Sequence, residues 1–277
     1  MEVIFEDRAM VIKADDLRAL IVADLHLGFE HTLYEEKGIA FPAQDASMLK
    51  RISSIVEKHT IEDIYIIGDI KHSITVHSPP NWQSVPNLML ALSNLCRVHV
   101  IPGNHDGDLL PLLPRSVYLL DVRGTVVGEG GETVGLLHGH SWPSPKVLES
   151  PMLVIGHNHP TLRNVKNVDA PEIDRAGRRR FAGVIPVILR SKLDKTCVRQ
   201  NIGAPEAPDD SEGVVVTLPS FNELFSGVQV NTPKTTFYGP FFENGCADIL
   251  KSDVYSMAGV YLGTVESLRK RFNEMIK

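Results

Sequence analysis

The chain has 277 residues, 43% hydrophobic and 22% charged, with a net charge of −6. This is ordinary soluble-protein composition, long enough for one large α/β domain. The acidic balance excludes a globally basic nucleic-acid binder and leaves room only for a local basic patch.

The N-terminal residues 1–8 carry no positive region followed by an apolar one, and no apolar run approaches the roughly 18 residues a membrane span needs. No membrane partner is expected, and the chain reads as cytoplasmic. Short apolar runs rich in β-branched residues then fall at 19–23, 64–67, 98–101, 134–137 and 152–155, each ending at a polar or glycine-bearing turn. That is the pattern of buried strands. Between the early runs, 42–59 opens with Pro42 and carries Met48, Leu49, Ile52, Ile55 and Val56 at helical spacing, and 85–95 reads as a second helix. Such alternation builds a buried sheet with helices on its faces.

Past Pro160 the texture changes. Residues 184–189 and 214–218 read as strands, 219–240 as loop, 254–255 with 260–262 as a closing hairpin, and 265–276 as a helix with Leu268, Phe272 and Ile276 on one face. Segment 196–212 has no assigned role and is expected to be mobile. Cys96, Cys197 and Cys246 are too sparse for a disulfide framework, and reduced thiols in a reducing interior are expected. We read 1–277 as one domain, with a motif core at 19–160 and strands, loops and a terminal helix in 161–277.

Five clusters of Asp, Asn and His follow the five apolar runs directly. They are Asp24 with His26, Asp69 after Gly68, Asn104-His105-Asp106, His138 with His140, and His157 with His159. Ligands of such sheets gather at the carboxyl ends of strands, so all five are expected on one rim. Carboxylate, amide oxygen and neutral imidazole suit hard or borderline divalent ions, and no cysteine is near. Asp24 and His26 are two apart and can face the same side. Asp69 can bridge two ions with its two oxygens. Asn104, His138 and His157 can complete a second site, and His159 can reach back to the first. Taken singly, each cluster is as well explained by a turn or a solvated loop; five in order after five strands are not.

In these clusters the chain resembles the calcineurin-like metallophosphoesterases, whose pattern is D-x-H, G-D-x-x-[DH], G-N-H-[DE], H-G-H and G-H-x-H. The resemblance covers about residues 19–160. It implies a four-layer α/β/β/α sandwich with a dinuclear metal site at the sheet rim. It also implies Asp24, His26, Asp69 and His159 on one ion, and Asp69, Asn104, His138 and His157 on the other. His140 is expected to face substrate or to support a ligand from behind. His105 is assigned as general acid, since imidazole can donate a proton near neutral pH; Asp106 is grouped with it. His72, three residues after Asp69, is where SbcD-like DNA nucleases carry His, and it is expected to pair with His105 and engage a strand.

The finer resemblance is to the SbcD-related phosphoesterases associated with the Lhr helicase or a DNA ligase. It rests on residues 24–30, 68–73, 156–160 and 218–222. It implies a manganese-dependent DNA endonuclease with a role in DNA repair, with iron, zinc, magnesium or nickel as other candidate ions. A helicase, ATPase or ligase partner is implied by this resemblance alone. Arg178, Arg179 and Arg180, with Arg190, Lys192, Lys195 and Arg199, form a basic stretch that could track a phosphate backbone. Aromatics are only 6%, so no stacking platform is expected. The alternatives are a small-molecule or nucleotide phosphodiesterase or phosphatase, and a non-catalytic module of the same fold; the complete ligand set with His105 argues against the last.

Overall fold

A computed structural model describes residues 1–75, 78–163, 183–233 and 235–275. Two sheets face each other. The first has six strands, in chain order across the sheet: Glu2–Glu6, Ala9–Ala14, Leu17–Val22, Asp63–Ile67, Arg97–Ile101 and Val117–Leu119. The three strands from Leu17–Val22 to Arg97–Ile101 are parallel neighbours, so their carboxyl ends lie side by side. In the second sheet Val134–Leu136, Met152–Ile155 and Glu212–Thr217 are likewise parallel neighbours. The long strand Val184–Asp194 pairs antiparallel with Glu212–Thr217 and with Asp253–Ser256.

Between the sheets lies an apolar layer, with Met10, Ile12, Ile21, Ile67 and Ile101 meeting Val134, Leu136, Val154, Ile188 and Val216. The outer face of the first sheet is closed by the helices Asp45–His59 and Pro79–Ser93 through Met48, Ile52, Ile55, Leu88 and Leu92. The outer face of the second is closed by Val147, Leu148, Val198 and Phe241. The expected α/β/β/α layering is therefore observed. Strands buried on both faces need apolar residues at consecutive positions, which is why the runs read so clearly.

Three expectations are corrected. Cys197 and Cys246 form a disulfide rather than two reduced thiols; their Cα atoms are 5.4 Å apart, and only Cys96 is free. Segment 196–212 is not a loose loop. It holds the helix Lys195–Ile202, and Asp210 is clamped by Lys195 and Arg199 at 2.5 Å each. That same clamp buries Lys195 and Arg199, so these two cations do not join a surface stretch, whereas Arg190 is exposed. Arg178, Arg179 and Arg180 lie outside the described residues. The closing hairpin and the helix Val265–Met275 are found where the sequence places them.

Candidate metal centre

The loops after adjacent parallel strands are laced to one another by backbone bonds. Asp24 N donates to Gly68 O at 3.1 Å, His26 N to Asp69 O at 2.8 Å and Leu27 N to Ile70 O at 2.8 Å. Behind them, Ser220 Oγ donates to Asp24 O, and Asn222 Nδ2 to the carbonyls of Leu25 and His26. Neither role is legible locally, because Ser220 and Asn222 come from the loop after Glu212–Thr217, far along the chain.

Among the described residues, nine non-glycine positions have positive φ, and five of these are Asp24, His26, Asp69, His157 and His159. An L-residue in this region costs about 1 kcal/mol or more. Such strain persists where the surroundings over-determine it, and here all five residues carry donor side chains of the site. Glycines make the close approach possible. A Cβ on Gly103 would sit 2.2 Å from Asp69 Oδ1, and one on Gly156 would sit 2.4 Å from Asp24 Oδ2.

Among the described residues three sets of donor atoms converge, each with all atoms within 4.8 Å: Asp24, His26, Asp69 and His159; Asp69, His138 and His157; and His26, His72 and His105. The first two share Asp69, and the first and third share His26. In the first, His26 Nε2 faces His159 Nε2 at 3.4 Å and Asp69 Oδ2 at 3.8 Å, and His159 Nε2 is 3.1 Å from Asp24 Oδ1. In the second, His138 Nε2 is 3.6 Å from Asp69 Oδ2 and 3.0 Å from Asp24 Oδ1. Asn104 is exposed beside this set, on the turn whose His105 amide donates to Asp69 Oδ1 at 2.9 Å.

The chemistry of these donors fits a pair of divalent cations. They are oxygen and imidazole nitrogen only, the donor types such ions prefer. Burial pushes the His26 imidazole well below its ordinary range, helped by the field of His159, and pushes His157 down to about 3. Both therefore stand neutral at pH 7, the form a metal requires. Burial lifts the Asp69 carboxyl, with Asp24 adding like charge, so an added cation would relieve the crowding. His138 is the exception: burial pushes it down, but the bond to Asp24 and the nearby Asp69 together lift it.

His140 stands behind the cage rather than in it. Its Nδ1 is 2.8 Å from His138 Nδ1, and burial holds it at about 4; a neutral His140 can accept from His138 Nδ1–H while His138 Nε2 faces the carboxylates. Asp106 has a different task from the catalytic one expected. Both its oxygens are taken by backbone N–H groups of Ile70, Lys71 and Gly103, which ties two ligand-bearing loops together.

His72 and His105 flank the cage. Their rings lie 5.7 Å apart at 26°, and each meets His26 edge-on at 5.4 and 5.2 Å. Burial depresses His72 to about 4, with His105 adding to the effect. Aromatic rings border the site, packed against its own histidines. Phe225 stacks on His26 at 4.3 Å and 11°, and Phe29 meets both His72 and Phe225. Phe225 carries no sequence signal beyond being an aromatic in a loop.

Among solved structures, the nuclease MPE of Pseudomonas putida is similar over 92% of each chain, at 22% identity and a TM-score of 0.50. An archaeal phosphodiesterase is similar over 55% of this chain and 78% of its own, at 18% identity and a TM-score of 0.31. Yfce, a phosphoesterase from E. coli, is similar over 54% of this chain and 74% of its own, at 16% identity and a TM-score of 0.35. Comparison with curated protein sequences finds no match. The model of the calcineurin-like phosphoesterase family matches residues 17–185, well over half of the chain. The chain belongs to that family and is a metal-dependent hydrolase of phosphoric esters.

Proposed function

We propose that this hydrolase cleaves phosphodiester bonds in DNA, with two divalent ions, manganese by preference. Asp24, His26, Asp69 and His159 would hold one ion, and Asp69, Asn104, His138 and His157 the other. When bound, such a pair clamps the phosphate, activates water and neutralises the charge that builds up on the ester oxygens. Water adds to phosphorus, the bond to the leaving oxygen breaks, and that oxygen needs a proton. His105 would give it. Its Nδ1 lies 2.5 Å from the His72 carbonyl oxygen, to which it donates, so Nε2 is the nitrogen that faces the cage, 4.0 Å from Asp69 Oδ2.

The observation that carries the DNA reading is His72 stacked beside His105 at the mouth of the cage. A second imidazole there can donate to a second phosphate oxygen or to the sugar backbone of a strand. Recognition would then rest on backbone and strand geometry, not base edges. A role in DNA repair, and a helicase or ligase partner, are proposed on the resemblance to SbcD-related enzymes. The test compares plasmid nicking, bis-p-nitrophenyl phosphate and p-nitrophenyl phosphate in manganese. Nicking and diester cleavage ahead of monoester cleavage are expected. Fast monoester cleavage without nicking would replace the nuclease with a nucleotide or small-molecule phosphatase.

A further inference from the structure

Lys71 is completely buried, an unusual place for an ammonium group. Its Nζ donates to three backbone carbonyls: Ser73 O at 3.1 Å, Ile74 O at 2.6 Å, and His105 O. Three donors meet three acceptors, so the group is fully satisfied although desolvation pulls its pKa down. The acceptors are not arbitrary. Ser73 and Ile74 form the turn that follows His72, and the third carbonyl belongs to His105 itself. Lys71 N also donates to Asp106 Oδ1, and Asn81 Nδ2 holds the same turn through Ser73 O and Thr75 O. The ammonium therefore locks the loop that carries the His72 carbonyl to the loop that carries the His105 ring. The bond from His105 Nδ1 to His72 O depends on that registration.

We propose that Lys71 is a positioning residue for the acid. By clamping the His105 carbonyl to the turn after His72, it sets the ring whose Nε2 protonates the leaving oxygen. A neutral side chain in its place leaves the cage donors where they are and lets the His105 ring wander. This rests on the reading of His105 as general acid.

The test is the dependence of rate on the leaving group. A series of aryl phosphodiesters running from p-nitrophenol to unsubstituted phenol is measured with the metal-loaded wild type, His105→Ala, Lys71→Met and the double variant. A good leaving group needs no proton, and a poor one does. For Lys71→Met we expect about a tenfold or larger loss on the phenol ester and less than about threefold on the p-nitrophenol ester, with metal content unchanged. In the double variant, Lys71→Met should cost nothing beyond His105→Ala, because the two act on one step. A uniform loss across the series, or additive losses in the double variant, would mean a merely structural lysine and would overturn the proposal. Should Lys71→Met not fold, Lys71→Gln gives the same comparison: a steeper series supports the proposal, and a wild-type slope overturns it. If His105→Ala itself leaves the slope unchanged, the acid assignment fails and takes the inference with it, an outcome distinct from failure of Lys71 alone.

Discussion

The Nδ1 atom of His105 lies 2.5 Å from the backbone carbonyl oxygen of His72, and the His105 amide donates to Oδ1 of Asp69. One residue is thus fixed at both ends, its backbone by the carboxylate shared between two donor sets and its ring by the loop beyond it. A neutral ring donating from Nδ1 could only accept at Nε2; once protonated there, it has one proton free to give, pointed toward the cage.

Replacing His105 by Ala should therefore leave both ions in place and remove most turnover. A fall of about 10²–10⁴-fold, the usual worth of a positioned acid, is expected on DNA or on a phenol ester, whose leaving oxygens need a proton. Metal analysis together with steady-state rates reads both quantities. Activity within a few-fold of wild type would remove His105 from the reaction.

His72 reaches His105 through its carbonyl, which any residue supplies, while its side chain faces the mouth of the cage. His72→Ala is expected to depress plasmid nicking by about tenfold or more while p-nitrophenyl phosphate hydrolysis changes little. Equal losses on both substrates would mean that the imidazole helps the chemistry in general and does not select a strand.

Gly103 and Gly156 leave no room for a methyl group beside the carboxylates of Asp69 and Asp24. Gly103→Ala should displace Asp69 and reduce metal occupancy, read by metal analysis of the dialysed protein. Its effect should exceed that of Gly107→Ala, where nothing lies within 4 Å of the added carbon. Two variants that bind metal equally would contradict the close approach.

The Cys197–Cys246 bond closes a chain separation of 49 residues, far from the cage in sequence. Cys197→Ser should lower stability by about 2–4 kcal/mol, chiefly through a freer unfolded chain, with kcat unchanged. Denaturant unfolding with and without reductant checks this. Insensitivity of the wild type to reductant would show that the bond does not contribute.

Much of the cage was legible in the sequence because each donor is a residue type placed at the end of an apolar run, and two-sheet packing leaves such ends nowhere to go but one rim. His138, His157 and His159 are found that way. What could not be read depends on backbone conformation and on distant partners. The left-handed φ of Asp24, His26 and Asp69 leaves no mark on residue type, since Asp and His were already expected there. Asp106 looks catalytic beside His105, yet its oxygens are filled by amides of Ile70 and Lys71 from the neighbouring loop. Lys195 and Arg199 read as part of a basic stretch, and each is buried against Asp210; Lys71, buried against backbone carbonyls, carries no signal in the sequence. The N-terminal strands Glu2–Glu6 and Ala9–Ala14 carry no motif, although Ala9–Ala14 is paired on both sides and buries Met10, Val11 and Ile12.

The central claim is that Asp69 is shared by two metal ions on which hydrolysis depends. Metal analysis of Asp69→Asn, paired with bis-p-nitrophenyl phosphate turnover, tests it most directly. Wild type should hold two ions per chain and lose activity to a chelator, with return on adding manganese. The variant should hold at most one ion and lose activity by at least about 10²-fold. An Asp69→Asn protein that retains two ions, or a wild type that keeps its rate after its metal is stripped, would contradict the account.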